Sequence, residues 1–155
     1  MKEISAGDCY HMLSGYSFQP DSSWQWQISK VLLSTAANMF VNSLDSAQAG
    51  NTGHALGFAH SAQAFATEEE RPYVLELVSM CALREGHTRE AMEAAMEAKR
   101  IAHARGDWLL EMDACAQLAE VHRAAGNTAE AEEYDQEADR MLGPVDGPGD
   151  DDEIF

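Results

Sequence analysis

The side chains best suited to chemistry in this 155-residue sequence are six histidines, three cysteines and a large excess of carboxylates. His11, His54, His60, His87, His103 and His122 form no H-E-x-x-H, and no two of them stand at i, i+4, the spacing that puts two ligands on one helix face. Cys9, Cys81 and Cys115 lie far apart with no C-x-x-C, so no zinc spacing arises and neither a metal nor another cofactor is expected. An odd, scattered set of cysteines also argues against a disulfide framework and for a reducing compartment. Glu68-Glu69-Glu70 and Glu132-Glu133 read as solvated charge on helix faces, the first run also suiting the N-terminal side of a following helix. Nothing in the pattern sets one carboxylate in an apolar pocket beside a partner, as general acid–base work requires. There is no G-x-S-x-G, P-loop or G-x-G-x-x-G, and Gly53 and Gly57 match no phosphate-binding spacing. The expectation is that the chain is not an enzyme.

Charge narrows the partners. Ten Lys+Arg against 27 Asp+Glu leave a formal net charge of −17, which disfavours a nucleic-acid duplex and an anionic membrane surface alike. No apolar run approaches the ~20 residues that span a bilayer. The start, Met1-Lys2-Glu3-Ile4, lacks the basic-then-apolar order of a signal peptide, so a cytoplasmic location is expected. An apolar fraction of 45% with 24% charged residues suits one packed globular domain.

The elements that must position these groups are helices. Only four prolines occur, Pro20, Pro72, Pro144 and Pro148, and the chain between Pro20 and Pro144 is rich in Ala, Glu, Met and Leu. Period-2 runs of β-branched and aromatic residues are absent, which predicts an all-α fold. The chain also repeats itself. Gly50-Asn-Thr-Gly-His-Ala55, Gly86-His-Thr-Arg-Glu-Ala91 and Gly126-Asn-Thr-Ala-Glu-Ala131 share Gly, a polar residue, Thr and then Ala, with a further alanine seven residues on at Ala62, Ala98 and Ala138. The glycines are spaced by 36 and then 40 residues. Each glycine is placed to end one helix and each threonine to cap the next, while the alanines allow two antiparallel helices to approach closely. Helices are predicted over 22–48, 53–67, 72–85, 88–105, 107–125 and 128–142.

Over residues 36–142 the pattern resembles the tetratricopeptide repeat (TPR) family, whose unit is a hairpin with a large–small pair in its first helix, Gly at the turn and two alanines in its second. Leu118, Ala119, Gly126, Ala131 and Ala138 match one unit. Val78, Ser79, Gly86, Ala91 and Ala98 match a second. Gly50, Ala55 and Ala62 match a third, with Asn42 and Ser43 at the large–small pair. The 40-residue step, with Arg105-Gly106-Asp107 as inter-repeat turn, is similar to longer-helix TPR variants. The resemblance implies a right-handed α-hairpin solenoid of about six helices spanning 22–142, with an N-terminal arm over 1–21 and a disordered acidic tail over 143–155. Trp24, Trp26, Ile28, Val31 and Leu32 are expected to cap the N-terminal end of the stack.

The resemblance further implies that one side of each first helix lines a concave groove. Carried onto this sequence, those positions are Ala37, Phe40, Leu44, Ala47 and Gln48, then Tyr73, Glu76, Met80, Leu83 and Arg84, then Asp113, Ala116, Glu120, Arg123 and Ala124. The Lys and Asn residues with which some TPRs grip a C-terminal carboxylate are missing. An apolar floor at one end and acid at the other suit a peptide or helix with apolar anchors and positive charge. The alternative is that Phe40, Leu44 and Met80 are covered by the N-terminal arm. His122 falls in a slot where TPRs pack an aromatic ring between helices. The implied function is a non-catalytic adaptor or assembly factor in a larger bacterial complex. A second reading, a secretion chaperone similar to those of type III translocator proteins, meets the objection that those keep a 34-residue step. At the far end, Asp150-Asp151-Asp152-Glu153-Ile154-Phe155 joins acids to two apolar residues, similar to the partner-recruiting tail of bacterial single-stranded-DNA-binding proteins but without their penultimate Pro. That implies a second docking motif, with a solubilising tail as the alternative.

Overall fold

The computed structural model describes residues 3–14 and 34–142. Among these residues there are seven helices: α1 Ala6–Ser14, α2 Thr35–Gln48, α3 Thr52–Phe65, α4 Arg71–Arg84, α5 Thr88–Arg105, α6 Trp108–Ala124 and α7 Thr128–Leu142. The fold is all-α. Five of the predicted helices agree with α3 to α7 within two residues at either end. The prediction of one continuous helix over 22–48 is corrected. Ser34 is extended (φ −64°, ψ 163°) and its Oγ accepts from Ala37 N at 3.0 Å, so it caps α2 and the helix starts at Thr35. Residues 22–33, with Trp24, Trp26, Ile28, Val31 and Leu32, lie outside the described residues, as does the tail 143–155. No helix among the described residues is long and apolar enough to cross a membrane.

The sequence repeat is a repeat of local structure. Gly50, Gly86, Gly106 and Gly126 all have positive φ, between 70° and 85°, where a Cβ is strained. In each case the next residue donates its N–H back five residues into the preceding helix, Asn51 to Ser46, His87 to Ala82, Asp107 to Ala102 and Asn127 to His122, at 2.8–2.9 Å. This is the glycine-terminated helix end that reverses the chain. Thr52, Thr88 and Thr128 are the first residues of their helices, so the expectation that they cap is corrected. At the first two turns Asn51 and His87 hold the cap position without a side-chain bond, and the Thr52 hydroxyl is spent on Glu85.

Packing follows the same period. α2 packs on α3, α4 on α5 and α6 on α7, while α3–α4 and α5–α6 join successive pairs. α2 also meets α4, and α4 meets α6. Ser43 Oγ donates to the Ala55 carbonyl and Ser79 Oγ to the Ala91 carbonyl, each at 2.7 Å across the same twelve-residue interval. In the last pair the corresponding Ala119 and Ala131 are both buried. Only small side chains fit between backbones that close. Ala91→Leu or Ala131→Leu is therefore expected to cost about 1–3 kcal/mol by overpacking, whereas Ala129→Leu at an exposed position should change little. Thermal midpoints that moved equally for all three would contradict this register.

Candidate functional site

The site is built around α4. Nine of its fourteen residues are buried because α1, α2, α3, α5 and α6 all pack against it. One of the nine is Glu76, only 3% exposed, whose Oε2 has no hydrogen-bond partner among the described residues. Burial pushes its carboxyl up to about 8, and the charge of Asp113 on α6 adds to the shift.

Above this carboxylate sits α1. Tyr10 is buried and its phenol donates to Asp113 Oδ2 at 2.6 Å. Burial raises the phenol far above its ordinary range, with the charges of Glu76 and Asp113 acting in the same direction. The Tyr10 ring packs against Tyr73 of α4 at 5.2 Å between centroids, and His11 meets the same ring edge-on at 5.2 Å. Burial likewise raises the Tyr73 phenol, which donates to Asp107 Oδ2 at 3.5 Å. The fit depends on Gly7, where a Cβ would stand 2.9 Å from the Tyr73 ring.

The N-terminal end of α1 is tied down separately. Glu70, 2% exposed, accepts from Ala6 N at 2.6 Å, Ser34 Oγ at 2.7 Å and Thr67 N at 3.1 Å. Burial opposes its charge, yet these donors together hold its carboxyl below the usual range. The reading of Glu68-Glu69-Glu70 as solvated charge is thus corrected for Glu70, while Glu68 and Glu69 are exposed.

Of the residues expected to line a groove, Tyr73, Glu76 and Asp113 come together around Tyr10. Phe40 and Leu44 are buried in the apolar core cluster that also holds Ala6, Cys9 and Tyr10, so they support the site rather than offer open anchors. Met80 is half-buried and Arg84 exposed. Glu120 and Arg123 pair with each other at 3.0 Å, and Arg123 also reaches Asp135 at 2.8 Å on α7. The tail residues Asp150, Asp151, Asp152, Glu153, Ile154 and Phe155 lie outside the described residues. Contrary to the expectation that no carboxylate sits in an apolar pocket beside a partner, Glu76 is buried within reach of the Asp113 charge. Tyr10 and Glu70 were not anticipated. The available signal was the apolar stripe of Ala6, Cys9, Tyr10 and Leu13, at i, i+3, i+4 and i+7.

His60, His87, His103 and His122 have structural partners. His122 stacks on Tyr134 at 5.5 Å between centroids and 16° between planes, joining α6 to α7. All three cysteines are buried, and burial pushes the Cys9 and Cys115 thiols up to about 12, which leaves them poor nucleophiles. Among the described residues no group of three His, Cys, Asp or Glu is placed to hold a metal ion. Comparison with family models, curated proteins and solved structures finds no match to this chain.

Proposed function

We propose that this chain is a TPR-like α-hairpin solenoid that works as an adaptor or assembly factor, binding a helical or extended segment of another protein on the face formed by α2, α4 and α6. The observation that carries this reading is that the face already accommodates a helix. α1 packs on α2 and α4 and reaches α6 through Tyr10 and Asp113. A surface shaped to take one amphipathic helix has the dimensions to take another. The repeated serine–carbonyl bonds and glycine-ended helices support the hairpin register. The chain-order packing, in which each described helix after α1 meets only its near neighbours, supports a linear stack.

The test is site-directed photo-crosslinking in cells of the source organism, using the full chain. A crosslinker at Met80, Arg84 or Glu120 is expected to trap a partner protein. One at Glu93 or Glu132, exposed on α5 and α7, is expected to trap none. Trapping confined to α5 and α7 would move the interface to the opposite face.

A further inference from the structure

We propose that Glu76 and Asp113 form a cation subsite which Tyr10 of α1 covers, and that the partner segment which displaces α1 places a lysine or arginine where Tyr10 lies. This rests on the adaptor reading above and specifies its ligand. The charge of Asp113 acts on Glu76, the Tyr10 phenol donates to Asp113, and Glu76 Oε2 lies buried with no hydrogen-bond partner among the described residues. A phenol has one proton to give, whereas an ammonium has three N–H donors and a guanidinium five, enough for both acids. The resident occupant thus satisfies half of the site. Charge complementarity selects the other half, since a cation hydrogen bonded to both acids offsets their mutual repulsion and part of the cost of ionising the buried Glu76.

The resident helix is also short. α1 has nine residues, too few to be stable as an isolated helix. It is held at its start by Glu70, at its middle by Tyr10 and by burial of Ala6 and Cys9, and its seat exists because residue 7 has no side chain. The charged and titratable groups facing Glu76 from the packed elements are Tyr10 on α1 and Asp113 on α6, with Tyr73 beside it on α4. In the covered state Glu76 keeps a proton at neutral pH, because burial raises its carboxyl to about 8. An arriving cation removes the reason for that proton, so binding should release it.

The experiment uses the full chain with α1 loosened by Gly7→Leu, which drives a side chain into the Tyr73 ring. Should that variant lose cooperative unfolding, Tyr10→Ala takes its place. Displacement is read by alkylation of Cys9, buried in the resident state, located by peptide mass spectrometry. The probes are three labelled synthetic peptides spanning residues 3–14: the native sequence, one with Tyr10→Arg and one with Tyr10→Phe. The arginine peptide is expected to bind about tenfold tighter than the other two. Its binding should release close to one proton, measured by calorimetry at pH 7 in buffers of different ionisation enthalpy. Adding Glu76→Gln and Asp113→Asn should erase both the preference and the proton. Equal binding of all three peptides would overturn the cation subsite and leave the groove standing. Binding of none, with Cys9 exposed, would overturn the groove as well. Cys9 protected in both variants would make α1 a fixed part of the fold, and a dimer formed by exchange of α1 would make the occupant a second copy; either result overturns the proposal.

Discussion

Glu70→Ala is expected to destabilise the protein by about 3 kcal/mol at pH 7, near the top of what a single substitution away from the large core side chains does. The carboxylate accepts from three places, Ala6 N at the start of α1, Ser34 Oγ at the cap of α2 and both N and Oγ1 of Thr67 before α4. Hydrogen bonds to a charged acceptor contribute about 1.5–3 kcal/mol each, and they add incompletely because the same acceptor serves all of them. Removing it strands the buried Ala6 N–H and unties the half-buried Ser34 hydroxyl from the segment before α4. Glu69→Ala, one residue earlier and exposed, should stay within about 0.5 kcal/mol of the wild type. The pH dependence has a definite sign. The folded carboxyl is held below its ordinary value, so its contribution is present above pH 4.5 and is lost as pH falls through the folded value. Urea titrations should show the Glu70→Ala profile flatter than wild type on the acid side. Equal midpoints for Glu70→Ala and Glu69→Ala would mean that α1 is attached in some other way.

The contrast between those two glutamates shows what the sequence can and cannot reveal. Helix periods, glycine-ended turns and the small residues between paired helices are local facts, and α3 to α7 lie close to where those facts put them. The close packing at Ser43, Ser79 and Ala119 was legible because the same twelve-residue interval recurs. The break at Ser34 was less visible, since its hydroxyl also donates to Glu70, which is 36 residues away. Glu70 and Glu76 look like any other acids in a chain with 27 of them. Their burial is a tertiary outcome, set by a nine-residue helix that lies across α4. That helix carries Gly7 and only a short apolar stripe, too little pattern to announce itself. Tyr73, Glu76 and Asp113 were picked out by register alone. Their convergence on Tyr10, 103 residues from Asp113 along the chain, is a product of the fold.

Glu76→Gln is expected to leave stability nearly unchanged at pH 4.5 and to raise it by several kcal/mol at pH 8, an unusual result for a substitution in a helix core. Glu76 is buried, and its carboxyl is raised to about 8 against an ordinary value of 4.5. Between those limits the folded protein holds a proton that the unfolded chain has given up. Stability must then fall as pH rises, by about 1.4 kcal/mol per unit while the difference in bound protons is complete. Glutamine has nearly the same shape and no charge to bury, so its profile lacks this descending limb. The effect is separable from that of Glu70, which acts as pH falls through the acid range and has the opposite sign. It is separable from Tyr10 as well, whose phenol stays protonated throughout. Asp113 contributes through its charge, so Asp113→Asn should lower the upper end of the window without abolishing it. Chemical denaturation at half-unit steps from pH 4.5 to 8.5 measures all three proteins on one scale. If the wild-type and Glu76→Gln curves run parallel across that range, Glu76 is ionised in the folded state and its burial must be relieved by a donor. If they diverge with rising pH, ionisation of the carboxyl under Tyr10 destabilises the fold, as burial without a hydrogen-bond donor requires.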